Sequence, residues 1–196
     1  MEKDVTVLYE CPRYCIAVKP AGVLSEDSGD GSMCGLLRKK LGKEYVACLH
    51  RLDRDVGGVM IYSLSPEASG KLSAISYEKE YIAVVTGFPE KDEGVMEDLL
   101  FHDSRRNKTF VVDRERKGVK KARLYYKVVE KTDGGCTLRI TLDTGRTHQI
   151  RVQLASRRMP IVGDGKYGGG KGELRLTSVK LSFSDPFTGE YRTFEI

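Results

Sequence analysis

The stretch ACLHRLDRDVGGVMIYS, residues 47–63, has a cluster of charged side chains between two apolar runs. The runs on either side, VACLH and GVMIYSL, have the β-branched and aromatic content of short strands. Alternate side chains of an extended segment share a face, so Arg51 and Asp53 are expected on one side and His50 and Leu52 on the other. The stretch therefore predicts two strands that present a polar loop.

The charged loop allows three interpretations. The first is a solvated turn held by local ion pairs. The second is a catalytic constellation, because a carboxylate held beside guanidinium groups stays ionised and is suited to act as a nucleophile or base. The third is a metal site formed by the three histidines of the chain with Asp53 or Asp55, but the spacings match no standard ligand pattern. We therefore predict no metal, and the loop alone does not decide between the other two.

A second unusual stretch follows a predicted strand. The run RTHQIRVQLAS (146–156) is predicted to form a helix that opens with Arg146 and His148. The positive N-terminus of a helix with an added arginine is an anion-binding arrangement, so both residues are expected to bind substrate. Arg151 falls roughly 60° around the helix from Leu154 and is expected to border the buried face. The alternative is a surface helix with solvated arginines.

The remaining pattern predicts a single α+β domain over residues 1–196. Apolar residues from Met33 recur at helical spacing until Gly42, and Pro66 opens a second helix that runs to Ser76. Strand-like runs alternate with these helices, and several of them are expected to pair as antiparallel hairpins. Antiparallel strand pairs with a few helices are typical of the α+β class.

The composition indicates a globular protein of the cytoplasm. Hydrophobic residues make up 40% and charged residues 31% of the chain, which is ordinary for globular domains. No apolar stretch approaches the roughly 20 residues that span a bilayer, and the N-terminal MEKDVTVLYE lacks the apolar core of a secretion signal. The five cysteines include no CxxC pair, which argues against a disulfide framework and a zinc ribbon. We expect no membrane partner.

The charge is distributed unevenly along the chain. Residues 1–100 contain 12 basic and 17 acidic residues, whereas residues 101–196 contain 21 basic and 11 acidic residues. Ten basic and two acidic residues lie in RRNKTFVVDRERKGVKKARLYYK (105–127). A basic stretch of this density attracts polyanions through Coulomb forces and counterion release. The alternative is a set of solvated strand faces, so the charge suggests nucleic acid without proving it.

Six segments together resemble the RluA family of pseudouridine synthases, enzymes that isomerise uridine to pseudouridine within RNA. HRLDRDVGG (50–58) resembles the family signature HRLDxxTSG, and DTGRTHQIRVQLA (143–155) resembles TGRTHQIRxHxA almost residue for residue. The other four, which take their places in the family's order, are VKPAGVL (18–24), EKEYIAVVTG (78–87), VGDGKYGG (162–169) and LRLTSVKLSF (174–183). Their joint occurrence over nearly the whole chain is far more specific than any one match.

The resemblance implies the pseudouridine synthase fold, a mixed, largely antiparallel sheet with flanking helices and a central RNA-binding cleft. It also implies an isomerase that acts on ribosomal or transfer RNA. Because the isomerisation conserves atoms and net charge, we expect no cofactor, and a single domain without a recognition module suggests a monomer. Because the matches begin close to Met1, we expect no separate RNA-binding module before the catalytic domain. The alternative function is a catalytically silent RNA-binding module or RNA chaperone with the same fold.

The resemblance also implies roles for individual residues. Asp53 corresponds to the essential aspartate, Tyr81 to the aromatic residue beside it, and Arg151 to the salt-bridge partner of that aspartate. Leu176 corresponds to the leucine that packs against the target base. Arg51 corresponds to the arginine that, in some relatives, fills the gap left by the flipped nucleotide.

The sequence departs from the family pattern at three places. Val56-Gly57 stands where Thr-Ser is usual, Thr177-Ser178 where His-Ala is common, and Gln153 where the helix of the family has a histidine. None of these changes touches the three catalytic positions, so we expect activity with a different substrate preference.

Overall fold

The computed structural model describes residues 4–196. Residues 1–3, part of the N-terminal stretch in which we predict no secretion signal, lie outside the described residues. The helices are α1 (Met33–Leu41), α2 (Pro66–Ser73) and α3 (Gln149–Ser156). The strands are β1 (Thr6–Glu10), β2 (Tyr14–Lys19), β3 (Ala47–Cys48), β4 (Gly57–Ser63), β5 (Glu78–Thr86), β6 (Glu93–Asp103), β7 (Lys108–Val112), β8 (Val119–Thr132), β9 (Gly135–Leu142), β10 (Leu176–Ser184) and β11 (Tyr191–Glu195).

The chain divides into two compact units. Unit 1 consists of the described residues up to Lys79 together with Ser178–Ile196, and unit 2 is Glu80–Thr177. Both units contain strands and at least one helix. That residues 1–196 act as a single domain stays a prediction.

Unit 1 is built on strands in the order β1-β2-β4-β10, with β11 paired to β10 and β3 paired to β4. The β1–β2, β2–β4 and β10–β11 pairs are antiparallel. Helix α2 packs on the sheet through Ala68 and Leu72. These residues are four positions apart and therefore lie on one face of the helix. The buried core cluster consists of Tyr14, Ile16, Val59, Ile61, Ala68, Leu72, Leu181 and Phe183.

The first two helices begin and end where their capping residues stand. The Ser32 hydroxyl accepts from the Gly35 N–H, and α1 ends at Gly42, whose φ of 62° is the left-handed conformation that glycine adopts without strain. The predicted first helix is thus confirmed. Ser65 caps α2 in the same way, and Pro66 occupies its first turn. This helix ends at Ser73, earlier than predicted.

Unit 2 is built on strands in the order β5-β9-β8-β6-β7, and each neighbouring pair is antiparallel. Helix α3 packs against one face of this sheet, where Val152 contacts Leu100 and Ala122. Strands β6 and β7 were not predicted from the sequence. Antiparallel strand pairs with three helices among the described residues confirm the predicted α+β class, whereas the central cleft stays a prediction.

None of the helices within residues 4–196 is both long enough and apolar enough to cross a membrane.

Candidate active site

The polar loop that carries Asp53 is fastened to the side chain of Ser25. The Leu52 N–H donates to Ser25 Oγ at 3.1 Å, and Ser25 Oγ donates to the Leu52 carbonyl at 2.9 Å. Both residues are buried, and so is Val56. The Val56 N–H donates to the Asp53 carbonyl at 3.1 Å and closes the turn. The half-buried Asp53 is therefore presented by a backbone whose position is fixed on both sides.

A buried ammonium group ties the same loop to the KPAG segment. Lys19 is fully buried, and its Nζ donates to the carbonyls of Val23 at 2.7 Å, Arg54 at 2.9 Å and Pro20 at 3.1 Å. The Gly22 N–H donates to the same Arg54 carbonyl at 2.8 Å. A buried charge is tolerated only with such partners. This role of Lys19 was not predicted, because a single lysine next to a proline carries no pattern that predicts burial.

Close packing explains the glycines that follow the loop. Gly58 has a φ of 125°, and a Cβ atom there would collide with the backbone of Ser178. A Cβ on Gly57 would lie 3.1 Å from the Lys19 carbonyl oxygen, which is a tight contact. Where the family usually has Thr-Ser, this chain thus places a buried Val56 and a glycine beside the Lys19 backbone.

The residues before Asp53 differ from one another in their surroundings. Arg51 is exposed and pairs with Glu26 at 3.3 Å, with both side chains more than half exposed. The Ile61 N–H donates to His50 Nε2 at a long 3.5 Å, and His50 Nδ1 is buried without a hydrogen-bond partner among the described residues. Burial and the neighbouring Lys79 hold the pKa of His50 well below its usual value, and burial lowers the pKa of Lys79 to about 8. His50 is therefore neutral near pH 7.

In unit 2, Arg151 is held by a buried ion pair. Its Nε donates to Asp164 Oδ2 at 2.7 Å and its Nη2 donates to Asp164 Oδ1 at 2.8 Å. The ring of Tyr167 lies against the guanidinium group, with its centroid 5.3 Å from the central carbon. His148 Nδ1 lies 2.9 Å from the Tyr167 hydroxyl. Arg151 is thus more deeply buried than predicted, and its partners come from the VGDGKYGG segment.

Helix α3 begins at Gln149, so the prediction that it begins at Arg146 is wrong. His148 has a φ of 54°, in the left-handed region, which separates Arg146 from the helix. The side chain of Gln149 folds back, and its Oε1 accepts from the Arg146 N–H at 3.0 Å and from Thr144 Oγ1 at 2.8 Å. Arg146 Nε donates to the Lys121 carbonyl at 3.0 Å. The substrate-binding roles of Arg146 and His148 stay predictions, without the helix-terminus geometry that motivated them.

Tyr81 and Leu176 are both buried in unit 2. Tyr81 lies on β5 opposite Ile140 of β9, and Leu176 is the first residue of β10. The predicted site residues thus fall into two groups. Unit 1 contains Arg51 and Asp53; unit 2 contains Tyr81, Arg146, His148, Arg151 and Leu176.

The basic segment 105–127 forms β7, most of β8 and the turns beside them. Some of its cations are paired, as in the contacts of Lys121 with Glu115 and of Arg123 with Glu97. Arg106 is paired with Asp103, and the other seven have no ion pair among residues 4–196: Arg105, Lys108, Arg114, Arg116, Lys117, Lys120 and Lys127. Of these seven, Lys108 and Arg116 lie over aromatic rings. The segment therefore keeps exposed positive charge that a phosphate backbone can neutralise.

The thiols of Cys15 and Cys48 are protonated, and no metal-binding cluster is found among the described residues. All five cysteines are free thiols, and burial raises the pKa of Cys15 and of Cys48 to about 12. These two thiols stay protonated at neutral pH and are poor nucleophiles. Within residues 4–196, no three His, Cys, Asp or Glu side chains lie together in a group that could hold a metal ion.

The sequence profile of the RNA pseudouridylate synthase family matches residues 13–156. The chain is 35% identical over 171 residues to a ribosomal large subunit pseudouridine synthase C of Buchnera aphidicola, covering 83% of this chain and 53% of that protein. It is 30% identical over 218 residues to a tRNA pseudouridine synthase C of Vibrio parahaemolyticus, covering 95% of this chain and 87% of the relative. The chain spans about half the length of several curated relatives that it matches.

Solved structures show the same fold. The human protein RNA Pseudouridylate Synthase Domain Containing 1 superposes with a TM-score of 0.82 at 19% identity, covering 100% of this chain and 84% of that chain. Human RNA Pseudouridylate Synthase Domain Containing 4 superposes with a TM-score of 0.81 at 20% identity, covering 97% of this chain and 87% of that chain. The predicted fold is therefore confirmed.

Proposed function

The chain belongs to the RNA pseudouridylate synthase family, and on that premise we propose that it isomerises uridine in structured RNA to pseudouridine. The observation that carries the proposal is that the family match, residues 13–156, contains Asp53, Tyr81 and Arg151. Relatives are named for ribosomal RNA and for transfer RNA, so we propose one of these two classes as the substrate. The monomeric state and the cytoplasmic location stay predictions.

The reaction exchanges one bond to ribose for another. The bond from the ribose anomeric carbon to the ring nitrogen breaks, the base turns, and a bond forms from the same ribose carbon to ring carbon C5. The proton lost from C5 is balanced by one gained at the ring nitrogen. Atoms, electrons and net charge are conserved, so we propose that protein side chains suffice and that no cofactor takes part.

Asp53 is the group that acts on the ribose in this proposal. As a carboxylate, it attacks the anomeric carbon; in the alternative glycal route, the neighbouring ribose carbon loses a proton, with Tyr81 near the reacting atoms. In this proposal Arg151 pairs with Asp53 and orients its carboxylate. The firm anchoring of the loop by Ser25 and Lys19 favours this role, because a reacting group must be held close to its productive geometry.

The target base must leave its stack to reach Asp53, which costs a few kcal/mol. We propose that Tyr81 and Leu176 form apolar walls that hold the base while it turns. Arg51 is exposed and fills the gap that the flipped nucleotide leaves. The unpaired cations of segment 105–127 bind phosphates and position the RNA.

The proposal is tested with purified protein and RNA from cells that lack the gene. Nucleosides released after incubation are separated by chromatography, and each new pseudouridine is mapped in the RNA. We expect pseudouridine at one or a few defined uridines without any added cofactor. RNA that binds but gains no pseudouridine would contradict the proposal and favour a catalytically silent RNA-binding module.

A further inference from the structure

The ion pair between Arg151 and Asp164 is the most deeply buried pair of opposite charges described in unit 2. The side chain of Arg151 is 7% exposed and that of Asp164 is 0% exposed. Two parallel N–H···O contacts at 2.7 and 2.8 Å fix the plane of the guanidinium group as well as its position. By comparison, Arg157 and Asp98 form a bidentate pair at the other end of α3, with side chains 34% and 12% exposed.

Backbone constraints position Asp164 independently of Arg151. The Asp164 N–H donates to the Ile161 carbonyl at 3.0 Å, and the Asp164 carbonyl accepts from Gly169 at 2.8 Å and from Tyr167 at 3.1 Å. Gly163, with a φ of 80°, packs so closely on the Glu173 carbonyl that a Cβ atom would collide with it. The backbone of Asp164 is therefore held by a tight turn that the ion pair does not have to form, and the Tyr167 N–H also donates to Asp164 Oδ1 at 3.3 Å.

A second contact holds the guanidinium group from the side. The Tyr167 ring lies 5.3 Å from the central carbon of Arg151, and the Thr109 N–H donates to the Tyr167 hydroxyl at 2.8 Å. The same hydroxyl lies 2.9 Å from His148 Nδ1. Tyr167 is thus fixed at its far end by β7 and by the residue before α3.

The contact with Asp164 determines the direction of the remaining N–H groups of Arg151. Arginine has five N–H groups, and Asp164 engages one on Nε and one on Nη2. The other three lie outside this contact and point away from Asp164 in the guanidinium plane. Since the two oxygens of Asp164 set that plane, they also set the direction in which the other N–H groups donate.

We propose that Asp164 is a positioning residue for the isomerase: it orients Arg151 so that the N–H groups outside the pair hold the carboxylate of Asp53. This inference rests on the proposed function, in which Arg151 pairs with Asp53. Asp164 itself touches neither RNA nor the reacting ribose. It acts on the rate of the chemical step and not on the affinity for RNA.

The test compares Asp164→Asn with a matched variant, Asp98→Asn, in single-turnover reactions on the mapped RNA target. Asp164→Asn keeps the shape of the side chain but removes the charge and one of the two acceptor contacts. We expect its maximal rate to fall by about tenfold to a hundredfold while the Kd for RNA stays within about twofold of wild type. Asp98→Asn breaks the pair at the other end of the same helix and is expected to keep the wild-type rate. Asp164→Glu, which restores the charge, is expected to recover part of the lost rate.

A double-variant measurement shows whether Asp164 acts through Arg151. Arg151→Met is expected to be slow, and adding Asp164→Asn to it should change the rate by less than about twofold. If Asp164→Asn lowered the rate of Arg151→Met by the same factor as it lowers the wild-type rate, the proposal would be overturned.

A purely structural role gives a different result. Asp164→Asn would then reduce the folded fraction, measured by thermal unfolding and by circular dichroism, while the folded molecules turn over at the wild-type rate. That outcome overturns the positioning role. Asp53→Asn is measured alongside: if it turns over normally, the proposed function fails, whereas an inactive Asp53→Asn with a fully active Asp164→Asn contradicts the positioning role alone.

Discussion

The two groups of predicted site residues are held by different kinds of contact. In unit 1, the loop of Asp53 is fixed through its backbone, by the Ser25 hydroxyl and by the Lys19 ammonium group. In unit 2, Arg151 is fixed through its side chain, by the charge of Asp164 and the ring of Tyr167.

Because of this difference, we expect substitutions in the two regions to have different effects. Because contacts with Ser25 and Lys19 hold the backbone of the loop, we expect the turn to persist in Asp53→Asn. A side-chain contact places Arg151 only while its partner keeps its charge and shape. Substitutions of the anchors Ser25 and Lys19 should therefore act on folding, and substitutions that remove the charge of Asp164 should act on turnover.

The largest expected effect on stability is that of Lys19→Met. The variant removes a fully buried ammonium group and its three hydrogen bonds. The Arg54 and Pro20 carbonyls keep the N–H groups of Gly22 and Val23 as donors, whereas the Val23 carbonyl loses the ammonium group. We expect the free energy of unfolding to fall by about 3 kcal/mol, because three hydrogen bonds to a charged group are lost. Urea-induced unfolding followed by circular dichroism measures the change.

Lys43→Met is the control for Lys19→Met. Lys43 lies near Glu10 at 3.8 Å, with both side chains more than a third exposed, and such a pair contributes little. We expect a change within about 0.5 kcal/mol. Equal stability of the Lys19 variant and the wild type would show that the ammonium group does not anchor the loop.

Tyr167→Phe tests the side-chain region with a smaller change. The variant keeps the ring against Arg151 but removes the hydroxyl that accepts from the Thr109 N–H. We expect the free energy of unfolding to fall by about 1–2 kcal/mol, whereas the single-turnover rate falls by less than about threefold. A rate loss as large as that of Asp164→Asn would show that the Tyr167 hydroxyl, and not the charge of Asp164, positions Arg151.

The smallest effect concerns the pH dependence of stability through His50. Its pKa is held well below 6.5 in the folded protein by burial, so the unfolded chain takes up a proton first as the pH falls. This contribution to stability is complete above pH 6.5 and is lost as the pH drops below it, by up to about 1.4 kcal/mol per pH unit.

The pH dependence is measured as the free energy of unfolding at pH 8, 7, 6.5, 6 and 5.5 for the wild type and for His50→Gln. The variant should show a flatter dependence below pH 6.5 and the same dependence as the wild type between pH 7 and 8. Parallel curves over the whole range would mean that His50 takes up its proton equally in both states.

Local patterns predicted much of the fold. Helix α1 follows from its apolar spacing and from Gly42, and most strands follow from β-branched runs. Strands β6 and β7 were missed because acidic residues interrupt the apolar alternation of β6; Asn107, with a φ of 44°, marks the turn between the two strands and was a usable signal. The start of α3 was predicted too early, since a left-handed His148 is set by tertiary contacts.

The candidate catalytic residues were predicted from motifs that follow the family's order. The residues that hold them in place, Lys19 and Asp164, were not predicted. Asp53, Tyr81 and Arg151 stand in segments that resemble a family, so their positions follow from the sequence. The roles of Lys19 and Asp164 depend on contacts with residues far along the chain or on other segments. Asp164 lies 13 positions from Arg151, in a glycine-rich loop. No local spacing connects the two.

The most direct test of the proposed reaction is tritium release from RNA labelled at C5 of uridine, because C5 loses its hydrogen only when it bonds to ribose. Wild type, Asp53→Asn and Asp55→Asn are compared; Asp55 is an exposed carboxylate in the same loop and serves as the matched control. We predict release by the wild type and by Asp55→Asn at similar rates, and none by Asp53→Asn, although all three bind the RNA with similar Kd. Tritium release by Asp53→Asn at the wild-type rate would contradict the central role of this aspartate.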